Sequence, residues 1–229
     1  KYEEDLVLKN FSLTVPKGKS VALVGQSGSG KSTIANLITR FYDVNEGEIS
    51  IDGNNIKNVT KKSLRHQMGL VTQDSILFND TIKNNILLGK PDATEDEIIE
   101  ALKIANAWEF VSQLPNGIET NVGDAGNNFS GGQKQRVSIA RALIKQPQIM
   151  LFDDCLSAVD TETEEKILNN LKKITEGKTT IIVSHRISAA KNAHKIIVLD
   201  NGNIVQSGTH DQLINIDGYY KELYLKTTK

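Results

Sequence analysis

Cysteine is nearly missing: Cys155 is the only one in 229 residues, so the chain can form no internal disulfide and offers no thiolate metal cluster. A reducing, cytoplasmic setting is the plain expectation. Long apolar runs are missing too. The longest, such as Ile196–Leu199, have the length of buried strands, far below the ~20 residues that cross a bilayer. No charge of one sign dominates, since 27 Lys and Arg face 28 Asp and Glu. Such a balance creates no overall field toward nucleic acid or an anionic membrane, and no nucleic-acid partner is expected. Repeats, low-complexity tracts, a signal peptide and an initiating Met are absent as well. With Lys1 as its first residue, the chain reads as a domain excised from something longer.

What is present is 38% hydrophobic and 24% charged, enough for one sizeable α/β domain and a smaller subdomain. Short apolar runs alternate with longer amphipathic segments, the pattern of a parallel sheet covered by helices. Ser20–Val24, Met68–Val71, Ile149–Phe152, Thr179–Val183 and Lys195–Leu199 read as buried strands. Lys31–Phe41 reads as a helix with Ile34, Leu37, Ile38 and Phe41 on its inward stripe. Residues 1–15 and 46–60 have the texture of β-hairpins, with Asp52-Gly53 as a turn signal. Residues 79 to about 146 contain no strand and read as helices starting near Asp80, Thr94 and Ser130, which implies an inserted helical subdomain.

Gly25-Gln-Ser27-Gly28-Ser29-Gly30-Lys31-Ser32 matches G-x-x-x-x-G-K-[ST] between a predicted strand and a predicted helix. Its glycines let backbone N–H groups and a helix N-terminus converge on phosphate oxygens. Lys31 would reach the β- and γ-phosphates of a nucleotide, and the Ser32 hydroxyl would ligate Mg²⁺. Ile149-Met-Leu-Phe152-Asp153 is an apolar strand ending in an acid, with Asp154 next. Carboxylates at that edge of an open α/β sheet face the ligand crevice, so Asp153 is expected in the Mg²⁺ shell and Asp154 beside the γ-phosphate. The plain alternative is a pair of exposed turn acids.

Asn128-Phe-Ser130-Gly131-Gly132-Gln133-Lys-Gln-Arg136 runs into an amphipathic helix. It offers a second helix start suited to an anion, with a hydroxyl and two glycines. An ordinary N-cap at Ser130 is the alternative. The segment resembles the signature of the ABC ATPases, with Phe129 where the usual form has Leu. Over essentially the whole chain the other family positions follow in order.

Gln73 resembles the Q-loop glutamine, a Mg²⁺ and water ligand. Ser157-Ala-Val-Asp160 resembles the D-loop that crosses the dimer seam, and His185 the switch histidine at the γ-phosphate. Tyr2 stands where an adenine-stacking aromatic is found, although a simple strand aromatic is its alternative. Ser75–Ile86 is similar to the exporter segment that follows the Q-loop, and Thr120–Gly126 to the exporter X-loop that touches the membrane domain, with Asp124 where Glu is usual.

The resemblance implies an α/β P-loop NTPase: a RecA-like core with a parallel sheet, an antiparallel β subdomain and an inserted helical subdomain. The expected boundaries are 1–75 and 147–229 for the core and 76–146 for the helical part, with a membrane domain N-terminal to residue 1. ATP and Mg²⁺ are the implied cofactors. ATP would touch Gly25, Ser27, Gly28, Ser29, Gly30, Lys31, Ser32, Thr33, Gln73, Asp160 and His185. Ser130, Gly131, Gly132 and Gln133 would close the partner's site. Ser32, Gln73 and Asp153 would hold the metal, while Lys31, Gln73, Asp154 and His185 would carry catalysis. The implied partners are a second nucleotide-binding domain, head to tail, and a membrane-spanning domain. The implied place is the cytoplasmic side of a membrane.

Active sites of this family usually carry Glu after the acidic strand end, one methylene longer than Asp154. The expectation is a site that binds Mg-ATP and turns over slowly, within a heterodimer. Rival readings are a homodimer that manages with Asp, an ATP-binding regulatory half, and a soluble ABC ATPase of translation or DNA repair. DNA-repair members are disfavoured because the two motifs lie about a hundred residues apart with no heptads between them, and translation members because the chain shows neither a second such domain nor basic inserts.

Overall fold

The computed structural model describes residues 6–227. In chain order the elements are β1 (Ser20–Gly25), α1 (Lys31–Ile38), β2 (Ser50–Ile51), β3 (Asn54–Asn55), α2 (Lys61–His66) and β4 (Met68–Val71). Then come α3 (Ile82–Leu87), α4 (Glu95–Ile104), α5 (Trp108–Val111), α6 (Gly131–Leu143) and β5 (Ile149–Asp153). The rest are α7 (Thr161–Ile174), β6 (Thr179–Val183), α8 (Ile187–Ala190), β7 (Lys195–Asp200), β8 (Asn203–Gly208), α9 (His210–Leu213) and α10 (Tyr219–Thr227). The main sheet has the order β4-β5-β6-β1-β7-β8. Among these, β5, β6, β1 and β7 run parallel and β8 returns antiparallel to β7.

Two compact units emerge. One comprises the chain up to Met68, Gln148–Asp153 and everything from Gly177; the other comprises Gly69–Pro147 and Asp154–Glu176.

In the first unit the parallel strands are apolar on both faces, as strands covered by helices must be. Val21, Leu23 and Val24 of β1 are fully buried, as are Ile196 and nearly so Val198 of β7. One side of β1 and β7 packs with Ile187 and Ala190 of α8, Leu213 of α9 and Tyr220 of α10. Register pairs Leu23 with Val183 and Val183 with Asp153. The C-terminal ends of β1, β6 and β5 therefore lie side by side, where ligands bind in open α/β sheets.

Two expectations change in this unit. Helix α1 ends at Ile38 with Thr39 as its cap, because Arg40 takes φ 53 and turns the chain. Phe41 is consequently 51% exposed, with the Arg65 guanidinium 4.6 Å over its ring, rather than on an inward stripe. Residues 6–15 form no strand. Their backbone meets the β7–β8 turn instead, where the Lys9 N–H donates to the Gly202 carbonyl at 3.1 Å. The antiparallel hairpin at 46–60 is present but reduced to the two-residue strands β2 and β3.

The second unit is helical, and its helix starts follow the sequence. Thr81, Thr94 and Ser130 cap α3, α4 and α6 through their side chains, the last two as reciprocal capping boxes. Helix α6 contacts both α3 and α4, and its Val137, Ile139 and Ala140 are fully buried.

Candidate nucleotide site

The first unit places the phosphate-binding loop between β1 and α1. Gly28 has φ 81 and Gly30 φ 102, left-handed values that a side chain resists. A Cβ on Gly25 would fall 2.3 Å from the Leu199 carbonyl oxygen, so the loop leaves β1 with the next strand's backbone pressed against it. The Lys31 side chain is 5% exposed and curls into its own loop. Its Nζ donates to the carbonyls of Gly25 at 2.9 Å and Gln26 at 2.7 Å, and to Ser29 Oγ at 3.3 Å. That ammonium staples the loop into a ring and concentrates a positive charge at its centre.

Helix α1 differs from most of the other helices at its N-terminus, although the four-residue α5 and α8 lack a side-chain cap as well. Six other helices (α2, α3, α4, α6, α7 and α9) carry a side-chain acceptor on their first turn. α1 begins at Gly30 with no side-chain cap and no acid in its first turn. The N–H groups of a first helical turn have no intrahelical acceptor, so here they and the positive end of the helix dipole suit an anion. Ser27 and Gly28 are exposed and Ser29 is buried; Ser32 and Thr33 open the helix beyond Lys31.

Ser32 Oγ donates to Asp153 Oδ1 at 3.0 Å. A hydroxyl and a carboxylate at that spacing form a hard-oxygen pair of the kind Mg²⁺ selects. The residues therefore fit both a polyphosphate and its metal. His185 is exposed just beyond β6, on the strand next to Asp153. It follows Ser184, whose hydroxyl accepts the Arg186 N–H at 3.0 Å and fixes the turn. Tyr2 lies outside the described residues.

The second unit holds the remaining candidates. Asp154 has φ 45, a left-handed conformation that Asp tolerates better than most residues. Its carbonyl accepts the Ser157 N–H at 3.3 Å, closing the turn that begins the D-loop-like segment. Asp160 caps α7 by accepting the Thr163 N–H at 2.9 Å. That bond is the first reason its carboxyl sits below the usual carboxylate range.

Ser130 Oγ accepts the Gln133 N–H at 3.3 Å, while Gln133 Oε1 accepts the Ser130 N–H at 2.9 Å. The plain alternative for this helix start holds, since Ser130 is a true N-cap closed as a capping box. The smallness of Gly131 and Gly132 has a packing cause. A Cβ on Gly131 would lie 3.2 Å from Ala158 Cβ, and one on Gly132 3.0 Å from the Ala158 carbonyl oxygen.

Phe129 is 8% exposed and packs on Phe110 with ring centroids 6.0 Å apart. The Arg136 guanidinium lies 4.7 Å over the Phe110 ring and donates to the Asn106 carbonyl at 2.8 Å. Burial pulls the Arg136 pKa down, opposed by the charges of Asp160 and Glu109. Arg136 and its neighbour Gln135 lie at the end of the signature-like segment, but the sequence assigns them no role of their own, because a polar side chain that braces a loop looks like any helical polar residue.

The two exporter-like stretches lie against each other. The Ile82 N–H donates to the Thr120 carbonyl and the Val122 N–H to the Asp80 carbonyl, both at 3.0 Å. The Asn79 amide donates to Asp124. Beside them Ile76 and Phe78 are 61% and 59% exposed, flanking the buried Leu77. No helix among the described residues is long and apolar enough to cross a membrane.

The family model for ABC transporters matches residues 8–157. Multidrug export ATP-binding/permease proteins of Staphylococcus aureus strains NCTC 8325 and COL are each 52% identical over 218 residues, covering 95% of this chain. The chain spans only 38% of the length of those relatives. A solved bacterial Atm1-family ABC exporter with ATP bound superposes with a TM-score of 0.96 at 46% identity, over 100% of this chain and 41% of that one. The motifs, the fold and these relatives converge: the chain belongs to the ABC transporter family, as a nucleotide-binding domain of the exporter type.

Proposed function

We propose that this chain binds Mg-ATP at the Lys31 loop and works as the ATP-driven motor of an exporter, on the cytoplasmic face of a membrane. The observation that carries the reading is the Ser32–Asp153 pair at 3.0 Å beside a helix start without a side-chain cap. The loop N–H groups and Lys31 bind and orient the phosphates. When bound, Mg²⁺ would neutralise phosphate charge, and Ser32, Asp153 and Gln73 are the residues that would hold it. Asp154 and His185 would face the γ-phosphate and the attacking water, and Tyr2 would stack on adenine.

Two copies of such a domain would meet head to tail, Ser130–Gln133 and Asp160 of each completing the site of the other. ATP then acts as the adhesive, and hydrolysis removes the γ-phosphate contacts so that the pair reopens. Residues 76–146 serve as the helical arm on a core of 1–75 and 147–229. The exposed Ile76 and Phe78, next to the hydrogen-bonded 79–82 and 120–124 stretches, are the surface offered to a membrane-spanning domain. Relatives longer than this chain and described as permeases support that pairing.

Asp154 sets the pace of this cycle. A general base must come within ~2.6–3.2 Å of the attacking water. Retracting a carboxylate by roughly a bond length loses much of the positioning that phosphoryl transfer depends on. The site is therefore slow on its own, and the chain serves as one half of a heterodimer whose partner supplies the fast site. Its intact Ser130–Gln133 segment fits that role. The test of nucleotide binding is calorimetry with Mg-ATP on the native chain and on Lys31→Ala. The reading expects saturable one-to-one binding that weakens at least tenfold in the variant; equal binding by both would remove the loop from the site.

A further inference from the structure

Gln135 is 3% exposed on α6, two residues beyond Gln133, and its amide makes three hydrogen bonds to two other segments of the second unit. Its Oε1 accepts the Ala158 N–H at 3.1 Å. Its Nε2 donates to Ser157 Oγ at 3.3 Å and, at 3.5 Å, to the carbonyl of Gln73. The orientation of the amide is over-determined. A backbone N–H can only donate and a backbone carbonyl can only accept, so oxygen must face Ala158 and nitrogen must face Gln73.

The same helix presses on the same turn through its glycines, since Gly131 and Gly132 face Ala158. The Ser157–Asp160 segment is thus gripped from below by α6 and tied through one side chain to the backbone of Gln73. Breaking a part-buried bond of this kind can leave polar groups unsatisfied, so a shift of one segment against the other is opposed.

We infer that Gln135 is a positioning residue that sets Gln73 and the Ser157–Asp160 turn as one piece. A movement sensed at Gln73 is thereby delivered to the residues placed at the dimer seam. This rests on the reading of Gln73 and Asp160 given above. Gln135 touches neither nucleotide nor metal in this account; it acts through the two loops it joins.

Two variants of the full chain separate its contacts. Gln135→Leu keeps the bulk and removes all three hydrogen bonds. Gln135→Glu keeps an acceptor for the Ala158 N–H but turns the donor toward Gln73 into a second oxygen, which the Gln73 carbonyl repels. Amide hydrogen exchange is followed for Ala158 and for 73–75, with the α6 amides of 137–142 as the internal reference. The dimer dissociation constant in Mg-ATP is measured by sedimentation.

The expected result for the Leu variant is exchange at least tenfold faster at both Ala158 and 73–75, with the α6 reference unchanged. The Glu variant speeds 73–75 alone. Both variants bind ATP as monomers within twofold of the native chain, and both need at least tenfold more protein to dimerise. A loss of α6 protection in parallel would reduce Gln135 to a general stabiliser and overturn the inference. So would unchanged exchange at 73–75 in both variants, or unchanged dimerisation. Should the Leu variant fail to fold, the split between Ala158 and 73–75 in the Glu variant decides alone. If the native chain does not dimerise with ATP, the head-to-tail reading fails, while the exchange pattern still judges the joint.

Discussion

Replacing Gly131 by alanine sets a methyl group 3.2 Å from Ala158 Cβ, inside the ~3.5–4.0 Å at which carbon atoms attract. The backbone of Gly131 is helical, the first residue of α6, so the substitution also gains about 0.4–1 kcal/mol by stiffening the unfolded chain. Overpacking of this kind costs about 1–3 kcal/mol, and the net expectation is a change between roughly neutral and about 2.5 kcal/mol destabilising. Ala158→Gly removes the methyl that is struck. The double variant should accordingly recover part of the loss, with a coupling of at least ~0.5 kcal/mol, the range of residues in contact. Gly132→Ala provides the control. Its Cβ strikes the Ala158 carbonyl oxygen at 3.0 Å, which Ala158→Gly leaves in place, so that pair should show no rescue. Urea unfolding of the three single and two double variants reads all the values by linear extrapolation. Additive effects for Gly131 and Ala158, within about 0.3–0.5 kcal/mol, would refute the claim that the helix start and the following turn are packed in contact.

Thr94→Ala removes the hydroxyl that caps α4 by accepting the Glu97 N–H at 3.3 Å, and should cost about 1 kcal/mol in urea unfolding. Acid should act through several carboxylates together. Asp80 is held below the usual range chiefly by the Asn84 side chain, Glu97 by Lys90, Asp160 by the Thr163 N–H and Asp217 by Lys221. Groups lowered on folding contribute stability above their unfolded pKa and lose it as pH falls through the lower folded value. The urea midpoint should therefore change little between pH 7 and 5 on their account and fall below about pH 4; a loss confined to the range above pH 5 would contradict this.

Much of this structure could be read in the sequence, and the reasons are local. Ser20–Val24 and Lys195–Leu199 are bounded apolar runs, and each sits in a strand within a residue of its expected ends. Thr94 and Ser130 announce helices because a hydroxyl followed three residues later by Glu or Gln closes a capping box. The Gly25–Ser32 motif carries its own geometry, and the approach of Ser32 to Asp153 follows once β1 and β5 share a sheet. Phe41 was hidden because periodicity cannot register the turn at Arg40 that ends the helix early. Residues 6–15 look like strand, yet their hydrogen-bond partner lies at Gly202, nearly two hundred positions away. Gln135 and Ala158 meet only because α6 packs beneath the turn, and no spacing rule connects them. The left-handed backbone at Asp154 is likewise absent from any motif, although it bears on the substitution that matters most. Glutamate there carries the longer side chain the chemistry wants on a backbone that aspartate accepts more readily.

Mg-ATP turnover by the native chain and by Asp154→Glu, measured across a protein concentration series, tests the central claim most directly. The account predicts a native rate that stays low at every concentration and a Glu variant at least tenfold faster, its specific rate rising steeply with concentration as dimers form. A native chain that already turns over as fast as the Glu variant would contradict the weakened site and, with it, the need for a partner that supplies the fast one.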